Sequence, residues 1–395
     1  MKKLIHLIAA ARPNFMKIAP LYHALCKETW AKPEIVHTGQ HYDANMSDTF
    51  FRDLELPPPH HHLGIGSGSH AEQTGKVMTA YERLLEATRP SLVVVVGDVN
   101  STMACTLATV KIKYAEKATN QSEEPQPISS SLQRPLVAHL EAGLRSFDRT
   151  MPEEINRIVT DSLADILWTP SADGDENLAR EGIAVDKIVR VGNIMIDSLE
   201  MMRPKIEATN MPKQYGFKDG SYGLVTLHRP SNVDDQGQLE AICAALKKIS
   251  QRMSLIFPVH PRTRKQLEHF DFWHNLKQTP NLTLSEPLPY LQFMSLVFGS
   301  RLVITDSGGV QEETTYLGIP CLTLRANTER PITVSEGTNR LCSVTTLAQH
   351  VGEVTTITKN QRKKPLMWDG CTAERVVVSI RDILHLQVEF TPSGN

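Results

Sequence analysis

Two parallel α/β domains in tandem are the fold this sequence predicts, and three observations predict it. Apolar runs of strand length ("KLIHLIA", "EIVHTG", "SLVVVVGD", "LVAHLEAG") alternate with segments of helical period. The runs are almost continuously Val, Leu and Ile, as strands covered on both faces are. The rhythm then restarts after about residue 192, with "YGLVTLHRP", "LIFPVHPR", "LTLSEPL", "LVITDSGG" and "IPCLTLR".

The chain has 395 residues, which suits two domains of roughly 180 to 200 residues each. The boundaries are placed at 1–191 and 192–372, with a tail helix over 373–395 that packs back on the first domain. The charges nearly cancel, 42 basic against 44 acidic, so neither nucleic acid nor a membrane surface is an expected partner. Six cysteines form no CxxC pair, which fits a reducing cytoplasm and no disulfide framework. "MKKLIHLIAAARPNF" imitates a secretory leader. Its apolar stretch is short and interrupted by His6, so a first strand and turn is the better reading. No apolar run reaches 18 residues.

Each element can be justified in order. The first strand, "KLIHLIA", leads into "AARPNFMKIAP", a turn without glycine that carries Arg12 and Lys17. A glycine fingerprint for a dinucleotide is missing there, and two cations suited to a diphosphate take its place. "PPPHHHLGIGSGSH" reads as a solvated surface loop, a reading preferred over the alternative that its three histidines ligate a metal. The helix after it is capped by Ser69 with Glu72. Asp98 ends the run "SLVVVVGD", and Glu141 ends "LVAHLEAG". Residues 116–135 read as a solvated loop. "RTMPEEINRIVTDSLAD" starts a helix at Pro152, with Glu153 and Glu154 in its first turn and Ile155, Ile158, Val159 and Leu163 as its buried stripe.

In the second half, His228 and Arg229 end a strand and His260 reads as structural. In "ITDSGGVQEE", a strand ends near Thr305 and a helix begins around Gly309. Ser307, Gly308 and Gly309 leave backbone amides open to an anion, and the helix start adds about half a positive charge. Glu312 and Glu313, within the first turn or so, suit a vicinal diol such as a ribose. Glu329 and Arg330 sit in a polar loop after a strand. Ligands of parallel sheets bind beyond the carboxyl ends of the strands, so these strand-end residues are the candidate site. Asp98, Glu141 and Glu153 bring carboxyls to the top of one sheet, where crowding lets one serve as acid while another serves as base.

Together the segments "ARPNFMKIAPL", "TGQHYD", "GDVNST", "HLEAGLRSFDRTMPEEINR", "VGNIMIDSL", "TLHRPSN", "DSGGVQEET", "LGIPCLTLR" and "TERP" resemble the non-hydrolysing UDP-N-acetylglucosamine 2-epimerase family. They run in order from residue 11 to about 340. The resemblance implies two Rossmann-like domains of GT-B type, with a UDP-sugar substrate in the cleft between them. It also implies a homodimer and no cofactor. Arg12, Lys17, Asp98, Glu141, Glu153 and His228 match the family's active-site positions. Phe293 matches the residue near uracil, and Ser307, Gly308, Gly309, Glu313 and Arg330 match nucleotide-binding positions. Ser231 stands where many members carry an acid, and Asp43 where members with a second substrate site often carry Gln. The implied reaction is C2 epimerisation of UDP-N-acetylglucosamine, by elimination of UDP and re-addition. A GT-B glycosyltransferase, a hydrolysing epimerase, a passive UDP-sugar sensor and an epimerase of another UDP-2-acetamido sugar remain alternatives.

Overall fold

The computed structural model describes residues 2–39, 51–114, 133–354 and 364–384, except for the side chain of Arg12. It divides into two compact units, Met1–Ser198 with Met367–Asn395, and Leu199–Leu366. Among the described residues no helix is long and apolar enough to cross a membrane.

The first unit is built on strands β1 (Lys3–Ala9), β2 (Ala31–His37), β3 (His61–His62), β4 (Leu92–Val96), β5 (Leu136–Leu140), β6 (Ile166–Thr169) and β7 (Ile188–Arg190). They pair in the order β3-β2-β1-β4-β5-β6-β7, every pair parallel. Helices α1 (Arg12–Cys26), α2 (His70–Thr88), α3 (Asn100–Lys111), α4 (Pro152–Leu163), α5 (Ala172–Arg180) and α6 (Ile194–Thr209) connect or follow them. Five consecutive buried residues in β4 and again in β5 show why these runs lack a polar alternation: helices cover both faces. One core lies under α2 and α3, where Val77, Tyr81 and Leu85 meet Val93, Val95, Cys105 and Ala108.

The second unit repeats the plan. Strands β8 (Tyr222–Thr226), β9 (Ser254–Pro258), β10 (Leu282–Ser285), β11 (Leu302–Thr305), β12 (Cys321–Thr323) and β13 (Asn339–Leu341) pair in the order β10-β9-β8-β11-β12-β13, again parallel. Helices α7 (Gln236–Ser250), α8 (Pro261–His269), α9 (Tyr290–Gly299), α10 (Gly308–Leu317) and α11 (Val344–Val354) flank it. In both sheets the strand order reverses once, between β1 and β4 and between β8 and β11. A crevice opens at such a reversal, beyond the carboxyl ends of the two strands.

The tail helix α12 (Thr372–Ile383) belongs to the first unit and packs on α1. Trp168 Nε1 donates to Ser379 Oγ at 2.9 Å, and Arg381 pairs with Glu28 at 2.8 Å. The boundary between units falls at Ser198, inside α6.

Several local expectations are corrected. His61 and His62 form a two-residue edge strand, not a solvated loop, because their backbones complete the ladder at Val36 and His37. The short strands β3, β6, β7 and β13 have too few residues to announce themselves as apolar runs. The larger correction concerns α4, which buries Glu154, Asn156, Arg157, Thr160 and Asp161 while Ile155 is 42% exposed. The helix turns its polar stripe inward because every buried charge there meets a partner. Residues 116–132 of the expected loop, together with Gln40 and Asp43, lie outside the described residues.

If α12 completes the first core, Ile380→Ala, at a fully buried position, should lower stability by about 2–5 kcal/mol. Urea unfolding followed by tryptophan fluorescence checks it, since Trp168 and Trp368 both lie in that unit. A loss below about 1 kcal/mol would remove α12 from the core.

Candidate functional site

In the first unit the crevice between β1 and β4 gathers charge. Lys17, one turn into α1, forms a buried ion pair with Glu141, which follows β5. Glu141 adopts φ +77°, in the left-handed region, which costs a residue with a Cβ about 1–2 kcal/mol. Backbone held this way concentrates at functional sites. Gly97, after β4, has φ +64°, and a Cβ there would come within 2.9 Å of Lys17 Nζ and 3.4 Å of Glu141 Oε2. Only glycine lets the two strand ends close over the pair. Asn14 ties the same corner together: its Nδ2 donates to Val96 O at 3.0 Å and its Oδ1 accepts from Ala11 N at 3.0 Å.

Asp98 follows Gly97 and is about one-third exposed. It pairs with Arg157 of α4, and its carbonyl accepts from Asn156 at 2.9 Å. Arg157 also grips Glu154, whose Oε2 accepts from Ser146 N at 3.0 Å. Burial tends to raise the Glu154 carboxyl, but the Ser146 amide and the Arg157 guanidinium outweigh it and hold it low. Glu154 therefore works as a clamp on the 146–147 turn. Its neighbour Glu153 faces solvent, with no hydrogen bond or ion pair to Lys17, Asp98 or Glu141 among the described residues.

Beneath this layer His139 Nε2 donates to Gly97 O at 2.9 Å, and Nδ1 meets Asp161 at 2.5 Å. Arg145 closes the other side of Asp161 at 2.7 Å and reaches Glu181 at 2.7 Å. Burial opposes the charge on Asp161, yet His139 and Arg145 keep its carboxyl below the ordinary range. Arg12 starts α1, and its side chain lies outside the described residues.

In the second unit Asp306, fully buried at the end of β11, organises the crevice between β8 and β11. It accepts from the amides of His228 at 3.0 Å and Arg229 at 2.9 Å and from Asn232 at 3.1 Å, and lies 3.1 Å from His228 Nδ1. Burial alone would raise Asp306, but the His228 contact and these donors lower it. His228 is 38% exposed on its side chain. His260 caps α8 by accepting from Arg262 N at 3.2 Å, and its ring lies 5.3 Å from that of His228. Ser231 is exposed in the turn after β8.

The helix expected near Gly309 begins at Gly308, with Ser307 as its cap. The Ser307 amide is satisfied by Thr305 Oγ1 at 3.0 Å, leaving the amides of Gly308 and Gly309 at the helix start. A Cβ on Gly308 would lie 2.8 Å from Glu329 Oε1 and 2.9 Å from Arg330 Nη1, whereas open space surrounds that position at Gly309. Arg330 pairs with Glu312 and Glu329 at 2.9 and 2.8 Å, and Arg325 meets Glu329 at 2.8 Å. Arg229 lies 3.9 Å from the same carboxyl. Burial and the adjacent Arg325 push the Arg229 guanidinium down. Three arginines thus crowd one helix start against two glutamates, an arrangement that favours an anion.

Glu312 and Glu313 sit in the second turn of α10, not the first. Glu313 accepts from Tyr290 OH at 2.7 Å. Burial, with the Glu312 charge adding to it, pushes the Glu313 carboxyl up to about 7 against the opposing Tyr290 bond. Phe293 is half-buried on α9.

Of the expected residues, the structure joins Lys17 with Glu141 and sets Asp98 beside them. It surrounds Gly308 with Arg330 and seats His228 on Asp306. Sequence reasoning missed Asn14, Arg157, Asp306 and Arg325 as supports. Asp306 was findable, since it ends a buried run as Asp98 does; Tyr290, far along the chain from Glu313, left no signal.

The family model described as UDP-N-acetylglucosamine 2-epimerase matches residues 23–115 and 128–381. UDP-N-acetylglucosamine 2-epimerase of Methanocaldococcus jannaschii is 41% identical over 343 residues, 85% of this chain and 87% of that protein. UDP-2,3-diacetamido-2,3-dideoxy-D-glucuronate 2-epimerase of Pseudomonas aeruginosa is 40% identical over 337 residues, 85% and 86%. A crystal structure of the Methanocaldococcus jannaschii enzyme in complex with UDP-GlcNAc and UDP aligns at TM-score 0.80 and 38% identity, covering 96% of this chain and 99% of that one.

Glu313 predicts a pH dependence of stability. Its folded value lies above the ordinary 4.5, so the folded state holds the proton more tightly. The contribution is complete below about pH 4.5 and is lost as pH rises through about 7. It amounts to roughly 3 kcal/mol. Melting temperature measured across that window should fall with pH less steeply in Glu313→Gln than in the parent; parallel curves would refute the buried proton.

Proposed function

The chain belongs to the UDP-N-acetylglucosamine 2-epimerase family, and from that membership we propose that it inverts carbon 2 of UDP-N-acetylglucosamine, reversibly, to give UDP-N-acetylmannosamine. The observation that carries the mechanism is the carboxyl-rich crevice around Lys17, beyond a β1–α1 turn with no glycine for a dinucleotide.

The C2 hydrogen has no neighbouring carbonyl to acidify it. The route without redox chemistry lets the C1–O bond break as a carboxylate takes the C2 proton. The bonding electrons leave with UDP, and the C2–H pair forms the double bond of 2-acetamidoglucal. A proton then returns to the opposite face of C2 and UDP oxygen re-adds to C1, so atoms balance over the cycle. Asp98, Glu141 and Glu153 share the proton transfers, which typically supply ~10²–10⁴-fold. The fixed pairings of Asp98 with Arg157 and Glu141 with Lys17 favour Asp98 and Glu141 for this work. The exposed Glu153 fits a proton carrier open to solvent.

The second unit holds the nucleotide. The Gly308 and Gly309 amides, Arg330 and His228 meet the diphosphate and stabilise charge growing on the departing UDP. In the first unit, Arg12 and Lys17 are the cations suited to phosphate. Glu313 accepts from the ribose diol, and Phe293 lies against uracil. Holding UDP and glycal together keeps re-addition effectively unimolecular.

The Pseudomonas aeruginosa relative is almost as similar as the Methanocaldococcus jannaschii one. A UDP-2,3-diacetamido-2,3-dideoxyuronate is therefore the second substrate to offer. We place the enzyme in the cytoplasm, in keeping with six free thiols, and as a homodimer. The exposed apolar edge of α4 around Ile155, with Phe147 at 73% exposure, supports pairing of two copies.

Incubation in D₂O followed by NMR should show deuterium at C2 of the product and traces of free UDP; product without deuterium sinks the elimination route. Asp98→Asn and Glu141→Gln should each lower kcat by two orders of magnitude or more, with circular dichroism unchanged. A near-parental rate would take that residue out of the scheme. Light scattering should give the mass of two chains, shifting toward one in Ile155→Lys; a monomeric parent would end the dimer reading.

A further inference from the structure

Away from the crevices, the β3 edge of the first sheet carries a second cluster with metal-ligating chemistry. His6 lies on β1, Glu34 beside it on β2, and His61 on the two-residue strand β3. One ligand atom from each lies within 4.8 Å of the others. His61 Nε2 and Glu34 Oε2 are 2.8 Å apart. His6 is fully buried, and its Nδ1 lies 3.2 Å from Tyr81 OH, while Nε2 has no hydrogen-bond partner. A buried nitrogen left unpaired costs about 1–3 kcal/mol, so this orphan needs a reason. We propose that His6, Glu34 and His61 form a site for one zinc-class divalent cation, which staples the edge strand β3 to β2 and β1.

The donor set suits the ion. Two imidazoles and one carboxylate are a common zinc set, with a water completing the tetrahedron. Ligands ~2.0–2.1 Å from zinc stand ~3.4 Å apart, so the His61–Glu34 pair opens slightly from 2.8 Å and the remaining separations, none above 4.8 Å, close by about an ångström. Tyr81 OH lies where an accepting oxygen orients a ligating imidazole, holding the Nδ1 proton and aiming Nε2 at the metal. Burial, with His61 adding to it, lowers His6 to about 3, so its ring is neutral and ready to coordinate. Lys32, which now pairs with Glu34 Oε1 at 2.8 Å, is 61% exposed on its side chain and free to swing away. Metal ligation needs deprotonated ligands, so affinity falls in acid. β3 has only two residues to hold it, and cross-strand ligation supplies what its short ladder lacks.

The test uses the full chain stripped with a chelator and titrated with Zn²⁺ against a chromophoric competitor. One ion per chain should bind, with a matching rise in melting temperature. Both effects should weaken at least tenfold in His61→Ala and in Glu34→Gln, which alter less buried positions than His6 and should fold. His62→Ala is the control, because successive strand residues face opposite ways and His62 packs on His37 instead. No single-site binding in the parent, or equal loss in His62→Ala and His61→Ala, overturns the proposal. Neither readout depends on the epimerase reaction.

Discussion

A charge taken out of water costs several kcal/mol unless a partner meets it, and the first unit buries charge all along the top of its sheet. Lys17 with Glu141, Arg157 with Glu154 and Arg145 with Asp161 are each almost wholly enclosed. Removing either member strands the other, so the elements carrying them are bound to one geometry. This explains the left-handed Glu141, the bare Gly97 and the inward polar face of α4. Apolar packing would hold the same helices with less constraint. The ion pairs add a fixed position for Asp98 and Glu141, the constraint that positioned acid–base chemistry requires.

The two units solve different problems with one topology. Each sheet reverses its strand order once, and each gathers polar residues beyond the carboxyl ends of strands near the reversal. In the first unit these positions, after β4 and β5 and on α1, carry carboxyls and a lysine, a set suited to moving protons. In the second they carry a helix start and arginines, a set suited to an anion. Asp306 plays the organising part there that Arg157 plays in the first: it gathers two amides, an amide side chain and a histidine around one buried carboxylate. Glu313 is a contrast. Among the described residues it has a tyrosine hydroxyl and no cation as partner, so burial wins and its proton stays until near neutrality.

The inverted helix α4 links the site to the surface. Because its polar stripe faces the carboxyl cluster, its apolar residues are left at the outer edge, where Ile155 is exposed. The placing of the carboxyl cluster and the apolar outer edge thus come from one rotation of one helix. The histidines of β1 and β3 show the same economy: the edge strand needed an anchor, and residues within the sheet supply donors for one.

The sequence alone determined the fold class, the repeated α/β plan and most strand-end candidates. Continuous apolar runs, turn residues and strand-end polar groups are local signals, written within a few residues of where they act. Asp98, Glu141, His228 and Ser307–Gly309 were legible for that reason. Tertiary structure decided the rest. Periodicity shows that α4 has two faces but cannot say which is buried when charges as well as methyls find partners inside, so its apolar stripe was assigned to the wrong side. Strands of two to four residues, such as β3 and β13, exist only because a neighbour offers a ladder. The pairs Lys17–Glu141, Tyr290–Glu313 and His6–His61 join residues 124, 23 and 55 positions apart. Spacing along the chain carries no record of such contacts; folding creates them by laying parallel strands and helices side by side.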